Sequence, residues 1–354
     1  MEQIHILTRL KRQKQSLVLP LTPNQKLLGM GVLFAISFFG SFCFGRYPVS
    51  LSQLVRILAS SVLPIEKTWT PAMAAVVFNI RLPRIMLSSM VGCCLSVAGA
   101  SYQGVFRNPM ASPDILGATS GAAFGAALAF LLGASTSVIT ISSFFFSIIT
   151  VMIVYYIGKW APGRSVMNLI LAGIMVSSIF TAGTSFIKLV ADPNNELPAI
   201  TYWLMGSFSA AKQYEVITIA GPMLLGLLPL LALRWRINLL TMGDEACRSM
   251  GVNPEEVRMI VIIASTVITA ASVSVSGMIG WVGLVMPHLC RKIMGNNYTY
   301  LMPASMIFGA VFMLLVDNIS RNLMATEIPI GILTAFIGAP FFAVLIFRRD
   351  SENV

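Results

Sequence analysis

Catalysis and ion coupling both need ionisable or nucleophilic side chains at set spacings, and this chain offers few. Of its 14 Asp and Glu residues, only Asp317 falls within a long apolar run. Arg321 follows it by four residues, the spacing of a local ion pair or cap on one helix face. A carrier that binds a coupling ion at mid-membrane would need more such groups. His288, in MPHLCR, has only Cys290 near it at ligand spacing and reads as a packing residue rather than a metal ligand. The cysteines, Cys43, Cys93, Cys94, Cys247 and Cys290, form no C-x-x-C pair and read as small buried hydrophobes. No glycine-rich phosphate loop of the form G-x-x-x-x-G-K followed by Ser or Thr occurs. The chain is therefore expected to hold no catalytic residue, metal or cofactor of its own. If ATP drives it, another subunit binds the ATP and its magnesium.

Two polar stretches interrupt the apolar sequence. The first is GVFRNPMASPDILGATSGA, Gly104 to Ala122. Asn108-Pro109 forces an extended exit from a helix ending near Phe106. Ser112 is placed to N-cap the next helix, with Pro113 in its first turn. From Gly117 through Gly121 to Ala127, small residues allow helices to approach closely, or leave room beside a bulky substrate. The stretch reads as a tight hairpin beside a pathway.

The second is INLLTMGDEACRSMGVNPEEVRM, Ile237 to Met259. Asp244 and Glu245 open a short helix where its dipole favours acids, and Gly251 can end it in a left-handed cap. Asn253 and Pro254 then start another helix. A short helix, a glycine break and a second helix make a rigid knob suited to a groove on a partner. The alternative is a solvated loop without special role.

The elements that must position these stretches are membrane helices. The chain is 56% hydrophobic and 11% charged, against roughly 25% charged in soluble domains. Apolar runs near spanning length are Leu27–Phe44, Ile85–Phe106, Ile115–Leu132, Ser137–Ile157, Val166–Leu189, Val216–Leu233, Met259–Val275, Met278–Cys290, Leu301–Leu315 (continuing toward Asn322) and Ile328–Phe347. About ten transmembrane helices, an all-α membrane fold, are expected. With the N-terminus inside, 16 of the 24 Lys and Arg residues fall on the cytoplasmic side, which favours both termini there. The same rule accounts for the net charge of +10 without nucleic acid as a partner. Residues 1–26 read as a basic cytoplasmic tail, 27–347 as one transmembrane domain and 348–354 as a second tail. SVAGASYQGVFRNP (Ser96–Pro109) also echoes SVSGMIGWVGLVMP (Ser274–Pro287) in its leading Ser-Val, next glycine and final proline. The echo suggests inverted repeats, in halves of about 81–190 and 258–347.

Together these residues resemble a known family. RLPRIMLSSMVGCCLSVAGASYQGVFRNPMASPDILGATSGA closely resembles the signature of ATP-binding-cassette importer permeases for iron-siderophores, haem and cobalamin. So do YWLMGSF, GDEACRSMGVNPEEVR, GMIGWVGLVMPHLCR and DNISR with EIPIGILTAFIGAPFF, which recur in family order from about Arg81 to the C-terminus. Met110 and Met250 stand where the family commonly has leucine, swaps that conserve volume. The resemblance implies a multi-pass protein of the cytoplasmic membrane. It implies a core of two permease subunits, identical or paralogous, a pair of cytoplasmic ATPase subunits and an external substrate-binding protein. It makes the loop 237–258 the coupling element in the ATPase cleft, with Asp244, Ala246, Met250, Gly251 and Val252 at the joint and Arg258 bracing the next helix. It also gives Arg81, Arg84 and Arg321 a role in receiving glutamates of the binding protein, a task suited to the planar guanidinium. A ferric siderophore is the expected substrate; haem, cobalamin and molybdate are alternatives.

Overall fold

The computed structural model describes residues 21–61, 63–162 and 166–351, and among them every regular element is helical. The basic tail assigned to residues 1–26 lies mostly outside the described residues. Helices α1 (Pro23–Ser41), α2 (Leu51–Ala59), α3 (Leu82–Val105), α4 (Ala118–Leu131), α5 (Thr136–Trp160) and α6 (Val166–Val190) come first. After them come α7 (Glu196–Leu204), α8 (Gln213–Met242), α9 (Asp244–Ser249), α10 (Pro254–Ser276), α11 (Val282–Met294), α12 (Tyr298–Asn322) and α13 (Ile330–Ser351). Each expected apolar run overlaps a helix (α1, α3 to α6, α8 and α10 to α13), but Ile115–Leu132 and Met278–Cys290 each begin in the turn that precedes theirs. Among the described residues, six helical segments are long and apolar enough to cross a membrane: α5, α6, α8, α10, α12 and the continuous segment Pro71–Val105 that contains α3. Shorter apolar helices, α4 and Ile330–Val344 within α13, add to them. The last helix runs on through Ser351, into the stretch read as a tail.

Helix α3 is the hub, with nearly all its residues buried. It is reached from Thr70, whose hydroxyl caps a short helix, through a six-residue π-helical turn, Val76–Arg81. Its close packing follows from glycine. A Cβ on Gly92 would strike the Gly309 carbonyl of α12, and one on Gly309 would strike the Gly92 carbonyl, so the two backbones touch. A Cβ on Gly99 would likewise strike the Gly283 carbonyl of α11, and one on Gly283 would strike the Leu95 carbonyl of α3. With no water to desolvate between helices in lipid, such close packing is the main source of association.

The sequence echo between Ser96–Pro109 and Ser274–Pro287 does not correspond to matching local structure. The first segment is unbroken helix to Val105, whereas the second breaks between Gly277 (φ 68°) and Trp281 (φ 70°). The helix lengths of the two segments nonetheless run in parallel. Helices α3 to α6 have 24, 14, 25 and 25 residues. Helices α10 to α13 have 23, 13, 25 and 22. The packing is reciprocal too: α3 lies on α11 and α12, and α10 lies on α4 and α5.

Candidate functional site

The knob folds as its sequence dictates. Gly243 (φ 114°) turns the chain out of α8 and α9 follows at once. Gly251 (φ 73°) closes it, with its N–H donating to the Arg248 carbonyl (3.0 Å) and the Val252 N–H to the Cys247 carbonyl (2.9 Å). These two bonds make a complete Schellman cap. The Asn253 side chain accepts from the Glu255 N–H (3.0 Å) and Pro254 opens α10. Cys247 and Val252 pack into the main core, while Met250 is 57% exposed at the tip beside Gly251. Burial, with Asp244 next to it, pushes the Cys247 thiol up from its ordinary value.

Asp244 holds this knob to two other elements. Its Oδ1 accepts from Arg258 Nη2 at 3.0 Å and lies 3.8 Å from Arg107 Nη2. Arg107 sits at the end of α3 with φ 50°, a left-handed conformation uncommon for a non-glycine residue. The triad thus ties the hairpin, the knob and the base of α10 together. Sequence reasoning assigned Arg258 as a brace but missed Arg107, whose partner lies on a distant segment.

The hairpin itself is a turn from Asn108 to Ala111 around Pro109. The Ala111 N–H donates to the Asn108 carbonyl (3.0 Å) and the Met110 N–H to Asn108 Oδ1 (2.9 Å). Ser112 does not cap the third apolar helix. It precedes a separate 3-10 turn, Pro113–Leu116, and makes no side-chain cap bond; Gly117 (φ 77°) then starts α4 at Ala118. The expected continuous helix fails because the chain must reverse once more, through a left-handed residue, before α4 can lie against α5. Gly121 serves close approach: a Cβ there would run into Thr150 and the Phe146 carbonyl of α5.

At the opposite end of α3 lies a second charge cluster. Arg84 Nη2 is 2.9 Å from Asp317 Oδ1, its Nε donates to the same carboxylate, and its Nη1 donates to Glu327 Oε1 at 2.9 Å. The Asp317–Arg321 pair expected from spacing is present at 3.4 Å. Arg321 also donates to Asn318, while Arg81 donates to the carbonyls of Phe42 and Tyr47, both at 2.6 Å. Arg81, Arg84 and Arg321 are only 3%, 5% and 7% exposed. A docking role for them therefore requires an exchange of internal partners. Glu327, which sequence reasoning passed over, is the fourth member.

Elsewhere, His288 packs edge-on against Phe341 (6.4 Å between ring centroids). All five cysteines are free thiols; Cys94, Cys247 and Cys290 are buried, Cys93 is half-buried, and Cys43 is exposed, contrary to expectation.

A multi-pass helical bundle with no phosphate loop, a rigid helical knob and charge clusters at both ends of a central helix is a transport permease by architecture. The chain belongs to the FecCD transport family, whose pattern matches residues 33–348. It is 40% identical over 322 residues to the molybdate import system permease protein of Haemophilus influenzae, covering 91% of this chain and 95% of that one. It is 38% identical over 277 residues to a probable iron chelatin transport system permease of Helicobacter pylori (78% and 84% covered). It is 39% identical over 281 residues to the cobalamin import system permease of Halobacterium salinarum (78% and 74%). A solved structure described as an inward-facing conformation of a candidate metal-chelate type ABC transporter superposes with a TM-score of 0.83 at 38% identity, covering 92% of this chain and 99% of that one. The protein is an ABC-importer permease of FecCD type and a multi-pass membrane protein.

Proposed function

We propose that this chain forms the translocation pathway of an importer for a ferric siderophore or a related iron complex, haem, cobalamin and molybdate being the other candidates. It receives its solute from an external binding protein and is driven by two ATPase subunits that hydrolyse ATP with magnesium. A second permease subunit, identical or paralogous, completes the core. Ten spans, both termini in the cytoplasm and two inverted halves make up the topology. The packing of α3 on α11 and α12, mirrored by that of α10 on α4 and α5, supports that repeat.

The observation that carries this reading is the knob. Helix α9 is a single turn and a half, too short to be stable alone, yet it is fixed by a Schellman cap, a buried cysteine and the Asp244 ion pairs. Such rigidity on a polar segment suits the transmission of force from a partner. Asp244, Ala246, Met250, Gly251 and Val252 form the ATPase joint, with Arg258 as brace. Arg81, Arg84 and Arg321 serve the binding-protein side.

The test is ATP-dependent uptake of a radiolabelled ferric siderophore in vesicles containing this chain, a cognate ATPase and a binding protein. Uptake should require ATP and fail in Gly251→Pro, because proline cannot adopt φ 73° and removes the bonded N–H. ATP-independent uptake that follows an imposed proton or sodium gradient would instead establish an ion-coupled secondary carrier.

A further inference from the structure

The helix that leads into the knob is fastened to a second helix just before the knob begins. Asn238 lies in the last turns of α8, shortly before Gly243. Its Nδ2 donates to Asn297 Oδ1 at 2.9 Å, and the Tyr298 N–H donates to Asn238 Oδ1 at 2.8 Å. Asn297 is the N-cap of α12, and its Oδ1 also accepts from the Thr299 N–H at 3.0 Å. The first N–H groups of a helix have no acceptor within it, and here α8 supplies one. Backbone donors fix both amides. The Tyr298 and Thr299 N–H groups can only donate, so each must meet an Oδ1, and the Asn238 amide nitrogen is left for Asn297.

The clasp closes over packed groups. Tyr298 is buried, and its hydroxyl accepts from Arg291 Nη2 of α11 at 3.2 Å. A Cβ on Gly104, at the end of α3, would meet Ile237 Cγ2 of α8 and Tyr298 Cζ. Pro303 deprives the Thr299 carbonyl of its usual helical donor. The first turn of α12 therefore depends on the clasp and on the buried Leu301 and Met302 more than on its own ladder. Helix α12 then runs for 25 residues, about 36 Å. At its far end, Asn318 Nδ2 donates to Ser41 Oγ (2.9 Å). Arg46 donates to the carbonyls of Arg321 (3.2 Å) and Met324 (3.0 Å). These bonds hold both flanks of the segment that carries the exposed Cys43.

We propose that Asn238 is a positioning residue that makes α12 follow the knob, so that a displacement imposed by the ATPase reaches the opposite face of the membrane along α12. This rests on the permease reading above and deepens it. The knob continues directly from α8, and α8 grips α12 by two bonds of 2.8 and 2.9 Å. The knob's ion pair to the end of α3 is a single one at 3.8 Å, with Arg107 half exposed. Two short bonds set by backbone donors hold position better than one long, solvated ion pair.

Cys43 reports the movement. The permease assembled with its ATPase subunits in lipid nanodiscs, with Cys93 replaced by serine, is treated with a charged maleimide before and after addition of ATP and vanadate. The Cys43 rate should change at least twofold. Asn297→Asp keeps both acceptor roles and should respond as the parent does. Asn238→Asp sets a carboxylate oxygen where the donor was, and Asn238→Ala removes both bonds without adding charge. Both should still hydrolyse ATP but leave the Cys43 rate unchanged. A parent indifferent to ATP, a full response in either Asn238 variant, or loss of the response in Asn297→Asp overturns the proposal. A chain on which no ATPase assembles removes the permease reading itself, whereas ATP hydrolysis with a response independent of Asn238 removes this proposal alone.

Discussion

Arg107 and Asp244 join the end of the central helix to the knob: Arg107 Nη2 lies 3.8 Å from Asp244 Oδ1, the same oxygen that accepts from Arg258 at 3.0 Å. Helix α3 runs from this triad to the Arg84–Asp317–Arg321–Glu327 cluster, a span of about 36 Å at 1.5 Å per residue. One buried rod therefore has a charge cluster at each end, and displacement of the knob has a rigid route to the far side.

The two contacts to Asp244 differ in strength. The Arg107 side chain is 45% exposed and its pair is long, so it contributes no more than a few tenths of a kcal/mol. Arg258 is 13% exposed and within hydrogen-bond distance, and its pair contributes about 1–2 kcal/mol. Double-mutant cycles on thermal unfolding should rank Asp244–Arg258 well above Asp244–Arg107. Arg107→Ala should nonetheless slow ATP-driven uptake several-fold, since its role is positional. Equal coupling energies, or uptake unchanged in Arg107→Ala, would refute this division.

Asp317→Asn should destabilise the folded protein by about 3 kcal/mol, because it leaves the buried Arg84 and Arg321 without their shared carboxylate. Glu327→Gln should cost less, since Glu327 is partly exposed and neutralises only one side of Arg84. Thermal denaturation in detergent distinguishes the two, and a milder effect for Asp317→Asn than for Glu327→Gln would contradict the geometry.

Gly251→Ala should destabilise the knob by about 1 kcal/mol through its positive φ alone, because no atom lies within 4 Å of the added Cβ. Maleimide labelling reads the effect. Cys43 should react first, and Cys247, buried and with its thiol pushed up, should stay protected until the cap is weakened. Rapid labelling of Cys247 in the unsubstituted protein would show that the knob is not fixed.

Gly92→Ala and Gly309→Ala should each impair folding more than Gly251→Ala, although both glycines are helical. There the added methyl meets a backbone carbonyl of the facing helix, which cannot rotate away. Loss of assembled protein in either variant, measured by size-exclusion chromatography, is the expected result.

What the sequence determined by itself is local. Apolar length placed each main helix, and the caps of the knob, Gly251, Asn253 and Pro254, followed from bonds that close within a few residues. The same locality made the Asp317–Arg321 spacing readable. Only the tertiary structure decided the rest. Arg84 could not be paired with Asp317 and Glu327, or Arg107 with Asp244, from a linear order that leaves these residues far apart. Ser112 had every local mark of a cap for the third apolar helix. The Gly117 turn intervened because α4 must meet α5 backbone to backbone. In a membrane chain, hydrophobicity specifies where helices form, but helix–helix contact and ion pairing depend on which glycines and charges the packed bundle brings face to face.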